Sequence, residues 1–178
     1  EKQRIRKAQG ENKDRNDYVR RRLAELDARD NGENRLRMKL FIELEKTGGL
    51  GTPCPYTGKQ ISIHKLFNSA EYQIDHILPF SKTLDDGFNN KLLVHRDANK
   101  YKGNRTPFEA FGKSLDGYDW PEIQARAIRL PKDKRKRFEE DSLQKWVGKV
   151  GEFEADGQGF LARQLIDTAY LARVAKQY

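Results

Sequence analysis

The chain has 178 residues, of which 36% are apolar and 35% charged, so it can enclose one modest core under a large polar surface. Its 35 Lys and Arg against 27 Asp and Glu give a formal charge of +8, which favours polyanionic partners without separating DNA, RNA and acidic protein. One cysteine, Cys54, excludes an internal disulfide and any zinc site built on two thiolates; no run approaches a membrane span, and Glu1 to Gly10 lacks the apolar stretch of a secretion signal, so a soluble, intracellular monomer without membrane contact is expected.

Residues 1–30 are rich in helix formers but thinly apolar, with Ile5 and Ala8 early and Val19, Leu23 and Leu26 later. Such a segment is expected to be a helical connector. Asp30, Asn31 and Gly32 break it, and Leu36, Leu40, Phe41 and Leu44 then recur at three and four, which predicts an amphipathic helix over Glu33 to Lys46 ended by Gly48, Gly49 and Gly51. The period changes to two in the next stretch: Ile61 with Ile63, Tyr72 with Ile74, and Leu92 to His95 predict three short strands separated by turns. Asp97 is then placed to cap a short helix with Asn99 and Lys102 on one face.

After Thr106 the pattern is helical again: Pro107 to Phe111, Trp120 to Leu130, a basic run from Lys132 to Arg137, and Ser142 to Val147. Phe160 to Tyr178 carries Leu161, Leu165 and Ala172 near one stripe and stops without a capping glycine or proline, which suggests a module from a longer chain. The fold class expected is α+β and mostly helical, with a small core of short antiparallel strands flanked by helices.

Chemistry concentrates between residues 75 and 102. Asp75 and His76 are adjacent, Asn90 follows His76 by fourteen residues, and Asn99 lies nine further on. An anionic oxygen, an imidazole and two carboxamides suit a nuclease that must hold a divalent cation and deprotonate a water. Adjacent strand residues face opposite ways, so the two can act on one phosphate from either side: Asp75 holding the metal, His76 reaching the attacking water. Asn99 would give the ion a neutral oxygen, Asn90 would restrain the His76 ring, and Lys102 would add a cation where a phosphate lies. Oxygen donors with water completing the shell suit Mg²⁺, with Mn²⁺ as a substitute, better than zinc.

Each residue also has a plainer explanation. Asp75 and His76 can form a local hydrogen-bonded pair, Asn90 can make a turn with Asn89, and Lys102 can be a solvated helix charge. The run of Lys132, Lys134, Arg135, Lys136 and Arg137 is most simply a solvated face, with a nucleic-acid backbone contact left open. His64 and His95 lack acidic or thiol neighbours at ligand spacing and are expected at the surface or in packing; Cys54 is expected to be a buried small hydrophobe; Asp85 and Asp86 are expected to be exposed turn acids.

The run Tyr72-Gln-Ile-Asp75-His76-Ile-Leu-Pro79-Phe-Ser81, then Asp85-Asp86-Gly-Phe-Asn89-Asn90-Lys91-Leu-Leu-Val94, then Asp97-Ala-Asn99-Lys-Tyr-Lys102-Gly103-Asn104, closely resembles the HNH nuclease domain of type II CRISPR RNA-guided DNA endonucleases. Cys54-Pro-Tyr56-Thr57-Gly58-Lys59 is similar to the compact II-C branch. The resemblance implies a ββα-metal site and Mg²⁺-dependent hydrolysis of the DNA strand paired to the guide RNA, in a prokaryotic cytoplasm. It implies His76 as base, Asp75 and Asn99 as metal ligands and Asn90 as the residue positioning the base. It also implies an HNH domain over residues 31–158, helical segments at 1–30 and 159–178 joining it to an RNase H-like nuclease, and the rest of a larger effector as partner, onto whose guide-paired target the domain swings. The competing expectations are a basic nucleic-acid-binding module without catalysis and a helical interaction domain.

Overall fold

A two-stranded antiparallel hairpin and the helix directly behind it form the frame of the molecule, which the computed structural model describes over residues 2–49 and 51–147. Along the chain come α1 (Lys2–Glu25), α2 (Gly32–Thr47), β1 (Tyr72–His76), α3 (Phe80–Thr83), β2 (Lys91–His95), α4 (Arg96–Lys102), α5 (Pro107–Phe111), α6 (Trp120–Ala127) and α7 (Lys132–Arg135), with residues 142–147 helical again. This is the expected α+β class. Residues 148–158 of the expected nuclease unit and the whole of 159–178 lie outside the described residues.

The polar N-terminal segment is a helix throughout α1, and it turns Val19 and Leu23 into the core against α2. Asn31 caps α2 by accepting from the Asn34 amide at 2.8 Å, and Leu40, Phe41 and Leu44 are buried along its inner face. Arg37 crosses from α2 to β1, donating to the Tyr72 carbonyl at 2.9 Å. A two-stranded sheet is marginal by itself. Here Leu92, Leu93 and Val94 of β2 are all buried, because α2 and α4 both pack against that strand.

Three local expectations change. Ile61 and Ile63 form no strand: Pro53 and Gln60 make an isolated bridge, Thr52 ties to Ile61 through backbone and hydroxyl, and Ile63–Lys65 is a 3-10 turn. Alternation there had no neighbouring strand to pair with. Asp97 is not the cap of α4; His95 holds that position, and Asp97 sits in the first turn, where a carboxylate meets the positive helix end. The predicted helix to Leu130 stops at Ala127, four residues before Pro131.

The basic run is only partly a solvated face. Lys134 is wholly buried, paired with Glu43 of α2, and its ammonium lies 4.1 Å from the Phe88 ring centre. Arg137 donates to Asp85 at 2.9 Å. Two of these cations therefore tie α7 and the turn after it to α2 and to the loop before β2.

α5 begins with a capping box: the Thr106 hydroxyl accepts from the Glu109 amide, and the Glu109 carboxylate accepts from the Thr106 amide at 2.8 Å. Thr106→Ala is expected to cost about 1 kcal/mol of stability. The Thr106 amide first, then Lys82, hold the Glu109 carboxyl below the ordinary carboxylate range. A lowered folded value means that Glu109 stabilises fully above its unfolded pKa, about 4.3, and loses this as pH falls through the folded value. Urea denaturation of Glu109→Ala against the parent chain should show a stability gap at pH 7 that narrows toward pH 3; a constant gap would refute the assignment.

Candidate active site

β1 and β2 pair with Ile74 opposite Leu93, Asp75 opposite Leu92 and His76 opposite Lys91. The pairing continues one step, since the Ile77 amide donates to the Asn90 carbonyl at 2.8 Å. Asn90 then ends the hairpin with its side chain. The Leu78 amide donates to its Oδ1, while its Nδ2 donates to the Leu78 and Asp85 carbonyls, all at 2.9 Å. The residue has no exposed surface. Asn90 was expected to restrain the His76 ring directly; its carboxamide is instead committed to backbone on both sides of the loop that follows His76. It fixes the backbone from which the imidazole projects, not the imidazole.

The group that touches the ring is Asp86, whose Oδ1 lies 2.8 Å from His76 Nε2 and 2.8 Å from Lys91 Nζ. Hydrogen bonds from Lys91 and then from His76 pull its carboxyl below the usual range. Asp86 is thus an ionised acceptor, which places the ring proton on Nε2 and leaves Nδ1 as the basic nitrogen. The Phe80 ring, 5.4 Å from the imidazole centre, packs beside it. The sequence signal for Asp86 was its place in a polar loop ten residues after His76, where nothing separates it from ordinary turn acids.

Asp75 is 5% exposed and both its oxygens are engaged. Oδ2 accepts from the Tyr56 hydroxyl at 2.6 Å and Oδ1 from the Lys102 ammonium at 2.9 Å. Burial pushes its carboxyl above the usual range, against the opposing pull of Lys102 and Tyr56. Burial and the neighbouring carboxylate drive the Tyr56 hydroxyl well above its ordinary range, so it remains a donor. Tyr56 was visible only as a member of the Cys54 to Lys59 stretch, far from Asp75 in sequence.

Lys102 was expected where a phosphate would lie. It is 1% exposed, its ammonium bridging Asp75 and the His76 carbonyl, both at 2.9 Å. The ammonium neutralises the buried carboxylate, so Lys102 is placed to balance Asp75 before it can meet any substrate. Gly103 follows with φ +54°, a left-handed conformation that turns the chain out of α4 immediately after this lysine. Arg105 donates to the Lys102 and Tyr101 carbonyls and closes the helix end.

Asn99, one turn before Gly103 on α4, donates through Nδ2 to Gln73 Oε1 at 2.9 Å, which leaves its Oδ1 as the atom able to ligate a cation. Asp75, His76, Asn99 and Lys102 line one open cleft of about 330 Å³, closed at its rim by the Ser81 hydroxyl on Asn104. Three of the four convergent residues named from sequence thus share a cleft with Lys102, and the buried Asn90 is not among the residues that line it.

This donor set fits a hard divalent cation. The side-chain oxygens that line the cleft are those of Asp75, Asn99, Asn104 and Ser81, the last two bonded to each other, and Mg²⁺ takes one or two protein oxygens and keeps its waters, whereas zinc draws on nitrogen and sulfur. Among the described residues no cluster of three or more His, Cys, Asp and Glu occurs. The Lys102 ammonium already stands beside Asp75 and balances its charge. Asp75 and Asn99 Oδ1 are the groups that would hold the ion.

Residues 54–108 match the HNH endonuclease family. The chain is 35% identical to the CRISPR-associated endonuclease Cas9 1 of Streptococcus thermophilus, over 98% of this chain and 16% of that protein. It is 40% identical to the CRISPR-associated endonuclease Cas9 of Campylobacter jejuni, over 61% of this chain and 10% of that one. The chain therefore spans about a sixth or less of these relatives. A crystal structure of Streptococcus thermophilus Cas9 with the GGAA PAM superposes with a TM-score of 0.61 at 31% identity, covering 79% of this chain and 14% of that one. The type II-C Cas9 of Actinomyces naeslundii shares the fold, with a TM-score of 0.55 at 18% identity over 76% of this chain and 14% of that one.

Asn90→Ala strips partners from one buried amide and two carbonyls at once. It is expected to lower stability by about 3 kcal/mol and to release the Leu78 amide to rapid hydrogen exchange. A loss below about 0.5 kcal/mol with Leu78 still protected would remove Asn90 from this supporting role.

Proposed function

Because the chain carries an HNH domain of the kind found in Cas9 endonucleases, we propose that it hydrolyses the DNA strand paired with a guide RNA, as one part of a larger RNA-guided effector. The observation that carries this reading is the convergence of Asp75, His76 and Asn99 on one open cleft, with Asp86 fixing the imidazole.

In this mechanism Asp75 and Asn99 Oδ1 would hold Mg²⁺, or Mn²⁺ in its place, and such an ion would supply positive charge to offset the charge that develops as the phosphodiester is hydrolysed. His76 accepts a proton from the attacking water at Nδ1 while Nε2 remains donated to Asp86. Asp86 thereby stabilises the imidazolium that forms. Asn90 keeps the backbone at 77, 78 and 85 in place, so the ring cannot drift from the phosphate as it becomes charged. Lys102 stabilises the buried Asp75 charge through their ion pair. Tyr56 holds the second carboxylate oxygen and sets the direction of the first.

His76→Ala is expected to abolish strand cleavage by the full-length effector, a fall of at least about a hundredfold, and to leave guide-dependent DNA binding intact. Parallel loss of binding would favour a module that binds without cutting. Manganese binding followed by electron paramagnetic resonance should weaken in Asn99→Ala and tighten in Lys102→Met, because the first removes a donor and the second removes a competing positive charge. Equal affinity in both variants would take these residues out of the metal site.

A further inference from the structure

A cavity larger than the catalytic cleft lies on the other side of the 76–80 turn. It is a groove of about 560 Å³, lined by Leu78, Asn89, Lys136, Arg137, Ser142 and Trp146 among others. Leu78 opens onto this groove and the next residue, Pro79, onto the catalytic cleft, so one peptide unit separates the two.

Two buried polar atoms without a hydrogen-bond partner occur among the described residues, Arg137 Nε and Ser142 Oγ, and both residues line this groove. Ser142 is 4% exposed. Buried donors lacking acceptors are rare in folded proteins because each forfeits its hydration. The rest of the Arg137 guanidinium is held: it donates to Asp85 and to the Asp133 carbonyl, and it stacks on the Trp146 ring at 5.2 Å. Its unpartnered nitrogen is therefore buried within a fixed frame. Lys136 lines the same groove, is exposed and makes no ion pair among the described residues. Lys145 is already paired with Glu139 and Asp141, and Asp133 with Asn89.

We propose that this groove binds a phosphodiester of the DNA strand whose neighbouring linkage enters the catalytic cleft, an inference that rests on the nuclease reading given above. What Ser142 Oγ and Arg137 Nε lack is an acceptor, since the groove's Glu139 and Asp133 are turned to Lys145 and Asn89, and a nonbridging phosphate oxygen supplies one. A diester carries a single negative charge, which Lys136 balances beside the occupied carboxylates of Asp133 and Glu139. The half-buried Trp146 ring takes the face of a sugar or base. Arg137 also donates to Asp85, whose carbonyl accepts from Asn90, so a strand seated here rests on the loop that supports His76.

The test uses the 178-residue chain in EDTA, which prevents cutting, with a fluorescent single-stranded DNA of about twelve nucleotides, the length one such binding site spans, and the same sequence carrying a methylphosphonate backbone. Ser142→Ala is expected to bind the natural oligonucleotide about fivefold more weakly with an unfolding midpoint equal to or above that of the parent chain. Lys136→Gln should show a similar loss and a shallower dependence on salt, whereas Lys113→Gln, an equal change of charge at an exposed site outside the groove, should bind like the parent. The Trp146 indole proton signal should move with the natural DNA and stay still with the methylphosphonate. Parent-like binding by both Ser142→Ala and Lys136→Gln, or weakening by Lys113→Gln to the same degree, overturns the proposal. Lys136→Gln decides the matter if Ser142→Ala does not fold. The nuclease reading is judged separately by His76→Ala, which lies in the other cleft and should bind this oligonucleotide normally.

Discussion

A buried carboxylate with an ammonium on one oxygen and a phenol on the other is the contact on which the rest of the structure depends. Asp75 lies on β1, Lys102 at the end of α4 and Tyr56 in the loop before β1, so this contact joins the hairpin, the helix behind it and the preceding loop. Removing water from a carboxylate is costly unless its oxygens are both satisfied. Here they are, and the helix, the hairpin and the preceding loop cannot separate without exposing that charge to an unpaired state. The same carboxylate is the group the proposed chemistry needs to face a cation. Structure and function thus compete for one pair of oxygens, with Lys102 as the positive charge already in place.

Asn90 performs the analogous task for the hairpin's far end. It has no charge to offer, but its carboxamide offers both donors and an acceptor, and it commits them to backbone at Leu78 and Asp85. This leaves the imidazole of His76 to be oriented by Asp86. A division of labour results, in which one residue fixes the loop and another fixes the ring. The catalytic cleft and the groove beyond it lie on either side of that loop, which is why contacts at Arg137 and Asp85 bear on the same backbone as His76.

The basic surplus of the chain is not uniform in use. Arg37, Lys102 and Lys134 are buried, and each is held by hydrogen bonds to a carboxylate or to backbone carbonyls. Lys136 remains open at the groove. A sequence count of cations merges these two populations, although only the second is available to a polyanion. No described helix is long and apolar enough to cross a membrane.

By itself the sequence determined the helical character of residues 33–46 and 107–111, the two paired strands, and the grouping of Asp75, His76, Asn99 and Lys102, though not the place of Asn90, because each of these rests on local periodicity or on side-chain chemistry at short spacing. Asp75 and His76 are adjacent in the chain, and Asn99 and Lys102 share a helix face, so their identity could be read before any folding. Tertiary structure alone decided which partner each of them meets. Asp86 against His76 and Tyr56 against Asp75 are contacts between segments whose separation in the chain carries no signal of distance in space. The strand expected at Ile61 and Ile63 failed for the same reason, since alternation specifies a face but only a neighbouring strand can supply the hydrogen bonds.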